Sequence, residues 1–194
     1  MSKFSDWLSK SLHGKRIVMM GLRQSGKSQF LKSLGCKDAR PGTESSKEYF
    51  NWFKVNCPPK PIFVKAGYDF GGDVGHFKEI FVKSIKEADY VFFVVDVRLF
   101  MMDGIDIESK QTYKKQALAR LDFINENVSI KFKDKVAIVL THADLVNEPS
   151  ESLISEFQRA TNGKAYQTLT RHCYPIDARV PEQVLDAFTR IMSI

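Results

Sequence analysis

The sequence predicts an α/β fold with a mostly parallel six-stranded sheet and helices on both faces, on three observations. First, Gly21-Leu22-Arg23-Gln24-Ser25-Gly26-Lys27-Ser28 fits the pattern G-x-x-x-x-G-K-[ST] at every fixed position. Residues 16–20 before it read as a buried strand, and apolar residues at helical spacing follow it to Leu34, which is the strand-loop-helix setting that pattern needs. Second, residues 90–95 and 136–140 are unbroken apolar runs, as expected of strands covered on both faces. Third, strand-like and helix-like segments alternate along the chain; right-handed crossovers then produce a doubly wound sheet whose ligands bind at the carboxyl ends of the strands.

Of the 194 residues, 43% are hydrophobic and fifteen are Phe, ample for one core without disulfides or a structural metal. No Pro/Gly/Ser-rich linker divides the chain, so it reads as an N-terminal amphipathic helix in residues 1–14 followed by one domain over 15–194. Cys36, Cys57 and Cys173 match neither a disulfide framework nor a metal spacing and read as reduced thiols. Asp6 interrupts the segment where a signal peptide needs an apolar run, and no run of about 18 apolar residues is present, so a cytoplasmic location is expected. The net charge of +6 is spread among interleaved acidic residues, which suits ordinary solvated surface; no nucleic-acid partner is expected.

The elements follow in order. Phe4, Trp7, Leu8 and Leu12 stand at helical spacing, and the helix they form needs its own domain, a membrane surface or another protein to cover it. Ser2 excludes N-myristoylation, so any peripheral membrane contact by this one helix would be weak. The helix after Lys27 stops near Gly35, and residues 37–47 form a polar loop carrying Pro41-Gly42. Residues 49–55 and 62–68 read as two strands of a hairpin broken at Pro58-Pro59, leading into a tight turn at Asp69-Phe70-Gly71-Gly72. Phe77, Ile80, Phe81 and Ile85 mark a helix, as do Tyr113, Ala117, Leu121 and Ile124. The strand at 136–140 ends in Thr141-His142-Ala143-Asp144. Pro149 and Gly163 bound a further helix. A short strand at 173–176 runs into Asp177-Ala178-Arg179, and Val184, Leu185, Phe188 and Ile191 face inward on the last helix.

The chemistry begins with the glycine loop. A turn between two glycines directs backbone N–H groups inward, and the following helix adds the positive end of its dipole, so an anionic phosphate fits. Lys27 can reach the β- and γ-phosphates, and the Ser28 hydroxyl can ligate Mg²⁺. Arg23, Gln24, Ser25, Gly26 and Gln29 complete the expected phosphate contacts. Every polar cluster named above falls directly after a predicted strand, at the same edge as this loop.

Together these clusters resemble the small GTPases of the Ras superfamily, whose P-loop NTPase fold and five nucleotide motifs are recognisable in order over residues 16–180. The N-terminal helix and Gly21-Leu22 loop are similar to Arf-like proteins, whereas Asp69-Phe70-Gly71-Gly72 and Thr141-His142-Ala143-Asp144 look like Roc domains. The second large domain of the usual Roc setting is not expected, since the sequence ends at Ile194.

The resemblance implies a Ras-like G domain that binds GTP or GDP with Mg²⁺ and presents switch loops to effector or regulatory proteins. Asp69 matches the residue that holds Mg²⁺ through water, Gly72 the γ-phosphate sensor, and Thr43 the switch threonine, with Ser45 and Ser46 as alternatives. Asp144 matches the acceptor for guanine N1–H and its exocyclic amine, a donor pair that adenine lacks. The usual Asn and Lys of that motif are Thr141 and His142. His142 either lies against the base or is an ordinary loop residue. Ala178 matches the N–H donor to guanine O6, with Arg179 beside the base.

Asp73 stands where the family carries the glutamine that orients the attacking water, which implies slow hydrolysis. His76, three positions later, either substitutes for it or is an ordinary surface residue. Arg23 either acts as a cis arginine or points to solvent. Three readings stay open: a GTP/GDP switch, a GTP-binding scaffold that does not cycle, and a P-loop ATPase or small-substrate kinase.

Overall fold

The structure, a computed structural model, describes residues 14–37, 39, 47–58, 60–70, 78–102 and 112–194. The predicted N-terminal helix, the Pro41-Gly42 loop, Gly71 to Phe77 and residues 103–111 lie outside these residues.

Five segments of strand character belong to one parallel system. These are β1 (Ile17–Gly21), β5 (Gly67–Phe70), β6 (Tyr90–Asp96), β7 (Val136–Thr141) and β8 (Cys173–Pro175). β2 (Lys47–Phe50) adds antiparallel to β5, giving the order β2-β5-β1-β6-β7-β8 with four parallel pairings and one antiparallel. The chain direction across the sheet reverses at the β1/β6 boundary, the point where open α/β sheets leave a crevice at their carboxyl edge.

Helices cover both faces, and the strand side chains sort between them with period two. Val18 and Met20 of β1, Val91, Phe93 and Val95 of β6, and Ile138 and Leu140 of β7 pack on one side. Their partners there are α2 (Lys78–Glu87), α4 (Tyr113–Asn127) and α5 (Ser150–Thr161), through Phe81, Leu121, Ile124, Leu153 and Phe157. Ile17, Met19, Phe92, Val94, Ala137 and Val139 point the other way. They meet α1 (Lys27–Ser33) and α6 (Pro181–Met192), through Phe30, Leu31, Val184, Phe188 and Ile191. Every residue of β6 and β7 is buried, in keeping with their continuous apolar runs. The inward stripe of α6 is Val184, Ala187, Phe188 and Ile191, with Leu185 at its margin.

The hairpin differs from the expected pair of uninterrupted strands. Each arm is broken: β2 and β5 join the main sheet, whereas β3 (Phe53–Val55) and β4 (Ile62–Val64) form a separate two-stranded sheet. Two contacts lie at the break. Lys15, just ahead of β1, pairs with this arm through Lys15 N–H to the Phe63 carbonyl and Lys65 N–H to the Lys15 carbonyl, both 2.8 Å. Gly67 then leaves room for the fully buried Phe50, since a Cβ there would lie 3.0 Å from the Phe50 ring and 3.2 Å from the Ile17 carbonyl.

A short helix, α3 (Val97–Met102), follows β6 and was not foreseen from sequence, because six residues are too few to establish a period. All three cysteines are free thiols, and burial pushes that of Cys173 up to about 12.

Phe188 is fully buried and stacks on Phe92, with ring centroids 6.1 Å apart. Truncation to Ala is expected to lower stability by about 3–5 kcal/mol in urea unfolding, the cost of a large buried cavity. A loss under about 1 kcal/mol would show that this face of the sheet is not the tight core described.

Candidate functional site

The site is assembled at the carboxyl edge around the loop that leaves β1. Gly21 is required by close approach, because a Cβ on it would stand 2.2 Å from the Val94 carbonyl oxygen of β6. The loop then turns on Ser25 N–H to the Leu22 carbonyl (3.3 Å), with Gln24 and Gly26 in left-handed conformation at φ 58° and 87°. Phe30 N–H to the Gly26 carbonyl, 2.9 Å, begins α1.

Lys27 folds back over this loop. Its Nζ donates to the Leu22 carbonyl at 2.8 Å, and lies 3.3 Å from both the Gly21 carbonyl and Ser25 Oγ. The ammonium is thereby held largely buried at the centre of the loop. Arg23 and Gln24 are exposed at its tip, and Ser28 is half-buried at the start of α1. Gln29, expected as a phosphate contact, is exposed, and its amide donates to Ser33 Oγ on its own helix at 3.3 Å.

A second segment closes on the loop from β7. The buried Thr141 hydroxyl is shared between the Ser25 carbonyl at 2.7 Å and the Val95 carbonyl at 3.1 Å. It also sits 3.4 Å from where a Cβ of Gly26 would be. One side chain thus ties the glycine loop, β6 and β7 together, residues separated by 116 and 46 positions in sequence.

His142 follows at φ 59°; with Gln24 it makes the pair of non-glycine residues at positive φ among those described. Such strained residues concentrate at functional sites. Its Nδ1 lies 3.2 Å from both Thr141 Oγ1 and Asp96 Oδ2. The Thr141 hydrogen is committed to carbonyl oxygens and an ionised carboxylate only accepts, so the network assigns a hydrogen to Nδ1. The imidazole therefore leans on Asp96.

Asp96 is the site residue that sequence reasoning missed. It is fully buried at the end of β6, directly opposite Thr141 in the parallel register. Its Oδ1 caps α3 by accepting from Arg98 N–H (3.0 Å) and Leu99 N–H (3.5 Å), and the Arg98 guanidinium closes on both oxygens at 3.1 and 2.7 Å. That hydrogen bond raises the Arg98 pKa above its ordinary value, partly countered by burial. Tyr113 of α4 accepts the Asp96 N–H at 2.8 Å, and burial pushes its phenol well above the usual range. A polar residue at the end of an apolar strand, with Arg two positions on, was the available signal.

The third segment comes from β8. Ile176 N–H donates to the Leu140 carbonyl (2.9 Å) and Ala143 N–H to the Ile176 carbonyl (3.4 Å), which aligns residues 176–179 beside residues 141–144. Ala178 is buried, and its carbonyl accepts from Ser33 Oγ at 2.7 Å. Arg179 grips Asp177 through Nε (2.9 and 3.3 Å) and Nη2 (2.9 Å), and extends the same Nη2 to Asp144 Oδ2 at 2.7 Å. The Arg179 hydrogen bond is the main cause holding the Asp177 carboxyl below its usual range.

The structure therefore brings Lys27, Ser25, Gly26, Thr141, His142, Asp144, Ala178 and Arg179 to one edge. Asp69 is in β5 opposite Met19 of β1, with its backbone alone described. Thr43, Gly72, Asp73 and His76 lie outside the described residues. No group of three or more His, Cys, Asp or Glu converges on a metal position among the described residues, and none of their helices is long and apolar enough to cross a membrane. No protein-family profile matches the chain, and no curated protein does so.

Replacing Thr141 by Val keeps the shape and removes the hydroxyl, leaving the buried Ser25 carbonyl without this donor. A loss of about 1–3 kcal/mol is expected in thermal or urea unfolding. Asp177 supplies a separate, pH-dependent contribution. Because its folded pKa is depressed, that contribution is fully present above the ordinary carboxylate value of 3.8 and disappears as pH falls through the folded value. Asp177→Asn is expected to flatten the stability profile below pH 3.8; an unchanged acid limb would show that the Arg179 contact is not maintained in solution.

Proposed function

We propose that this protein is a small GTP-binding protein of the Ras-superfamily type, a P-loop G domain that acts as a GTP/GDP-regulated switch and hydrolyses GTP slowly. The observation that carries the reading is the bond from Thr141 to the Ser25 carbonyl. It joins the phosphate-loop segment to the segment bearing Asp144 at the edge where open α/β sheets bind ligands.

Each role rests on a residue present. Lys27 and the backbone of residues 23–28 receive the β- and γ-phosphates. Asp144 receives guanine N1–H and the 2-amino group, and Ala178 N–H the O6 atom. Adenine offers no matching donor pair and would leave a partly buried carboxylate unsatisfied. The oxygen donors Ser28, Asp69 and Thr43 suit Mg²⁺, which takes few protein ligands and completes its shell with phosphate oxygens and water. Mg²⁺ supplies neutralisation of the charge that develops on the phosphates.

Hydrolysis needs a water aligned with the γ-phosphate and a group to orient it. Asp73 offers a short anionic side chain at that position, so attack is slow. Arg23, at the loop tip, is the candidate for offsetting charge. Asp73 also supports the second reading, a GTP-bound scaffold that does not cycle. Switch behaviour would place effector or regulatory contacts around residues 40–47 and 73–77, with weak membrane contact through residues 3–12.

Titration of nucleotide-free protein with Mg²⁺·GTP and Mg²⁺·ATP is the direct test, alongside Asp144→Ala. Tighter GTP binding that is lost in the variant is expected; equal or tighter ATP binding would overturn the assignment. In single-turnover assays Asp73→Gln should hydrolyse GTP at least about tenfold faster than the parent, a barrier change of about 1.4 kcal/mol. Undetectable turnover in both would favour the scaffold.

A further inference from the structure

We infer that Arg179 is a latch on the base site: its guanidinium occupies Asp144 as a stand-in for guanine, and a guanine nucleotide enters by displacing it onto Asp177. The inference rests on the guanine-site reading given above. A carboxylate that recognises guanine meets two N–H donors joined through one carbon, the N1–H and the 2-amino group. Arg179 turns its own N–C–N edge to Asp177 and sets one Nη2 hydrogen on Asp144 Oδ2, so it competes with guanine for that acceptor oxygen through the same kind of N–H bond.

The geometry is arranged for exchange. Nη2 carries two hydrogens and places them on different carboxylates, Asp177 Oδ2 at 2.9 Å and Asp144 Oδ2 at 2.7 Å. Nε is anchored on Asp177 alone. The anchor is firm, because Asp177 Oδ1 also accepts the Arg179 N–H at 2.9 Å and the Asp177 N–H donates to Gln183 Oε1 at 2.9 Å. Side-chain exposure follows the same division: 13% for Asp177, 29% for Asp144 and 62% for Arg179. Releasing Asp144 therefore breaks one contact and leaves the arginine charge paired. In the closed arrangement the partly buried Asp144 carboxylate is also spared a solitary charge.

An exposed ion pair of this kind has a modest effect, so the latch should lower GTP affinity by roughly two- to fivefold. The full chain, freed of nucleotide, would be titrated with Mg²⁺·GTP and, as a ligand lacking a base, with inorganic tripolyphosphate. Arg179→Ala and Arg179→Gln are both expected to bind GTP two- to fivefold more tightly than the parent, with tripolyphosphate binding unchanged. The difference should shrink as salt is raised, since screening weakens an exposed pair.

GTP affinity that is unchanged or reduced in both variants, with the parent still binding GTP, would overturn the latch and leave the guanine site standing. Equal tightening toward GTP and tripolyphosphate would also overturn it, because the arginine would then act on the phosphates or on the whole field. Failure of the parent and both variants to prefer GTP over ATP would remove the guanine site, and the latch with it.

Discussion

The bond from the Thr141 hydroxyl to the Ser25 carbonyl is the constraint on which the arrangement of the site depends. A glycine loop alone has no reason to hold one shape, because each glycine enlarges the conformational choice of the free chain. Here the loop is trapped between two strands. Gly21 lies against the Val94 carbonyl, and Gly26 lies against Thr141, so neither position tolerates a side chain without displacement of its neighbour. Lys27 closes the remaining side by donating back into the loop. Rigidity therefore comes from β6 and β7, strands buried at every residue, rather than from the loop sequence.

The same edge concentrates carboxylates, which would repel one another and destabilise the fold if left unpaired. Asp96, Asp144 and Asp177 each have a cationic partner within reach. Asp96 is closed by Arg98 and approached by His142, while Asp177 and Asp144 share Arg179. The difference between the pairs is burial. Asp96 is fully enclosed and caps α3, so its pairing is part of the scaffold. Asp144 and Arg179 are accessible, and the proposed latch rests on that difference.

Much of the architecture was legible in the sequence. Continuous apolar runs marked β6 and β7, and the 3.6-residue period marked α4, α5 and α6, because burial on two faces or on one stripe leaves a direct trace in composition. Pro149 precedes α5 and Gly163, at φ 71°, follows it, as the capping chemistry implied. The positions of Lys27, Asp144 and Ala178 at one edge also followed from each lying just beyond a predicted strand. The broken hairpin was not legible: residues 49–55 read as one strand, yet their first half pairs with β5 in the main sheet and their second with β4 in a separate one, a division set by long-range pairing.

What the sequence determined by itself was the alternation of strands and helices, the strand-loop-helix setting of residues 16–34, and the identity of the chemical groups available at the carboxyl edge. These are properties of local spacing and residue type. Tertiary structure alone decided how those groups are shared: that Thr141 binds the loop, that His142 turns to the unforeseen Asp96, and that Arg179 spans two carboxylates. The physical reason is that the bonds from Thr141 to Ser25, from His142 to Asp96 and from Arg179 to Asp144 join segments distant in sequence, up to 116 positions apart. Which donor meets which acceptor is set by strand register and loop approach, quantities fixed only when the sheet closes.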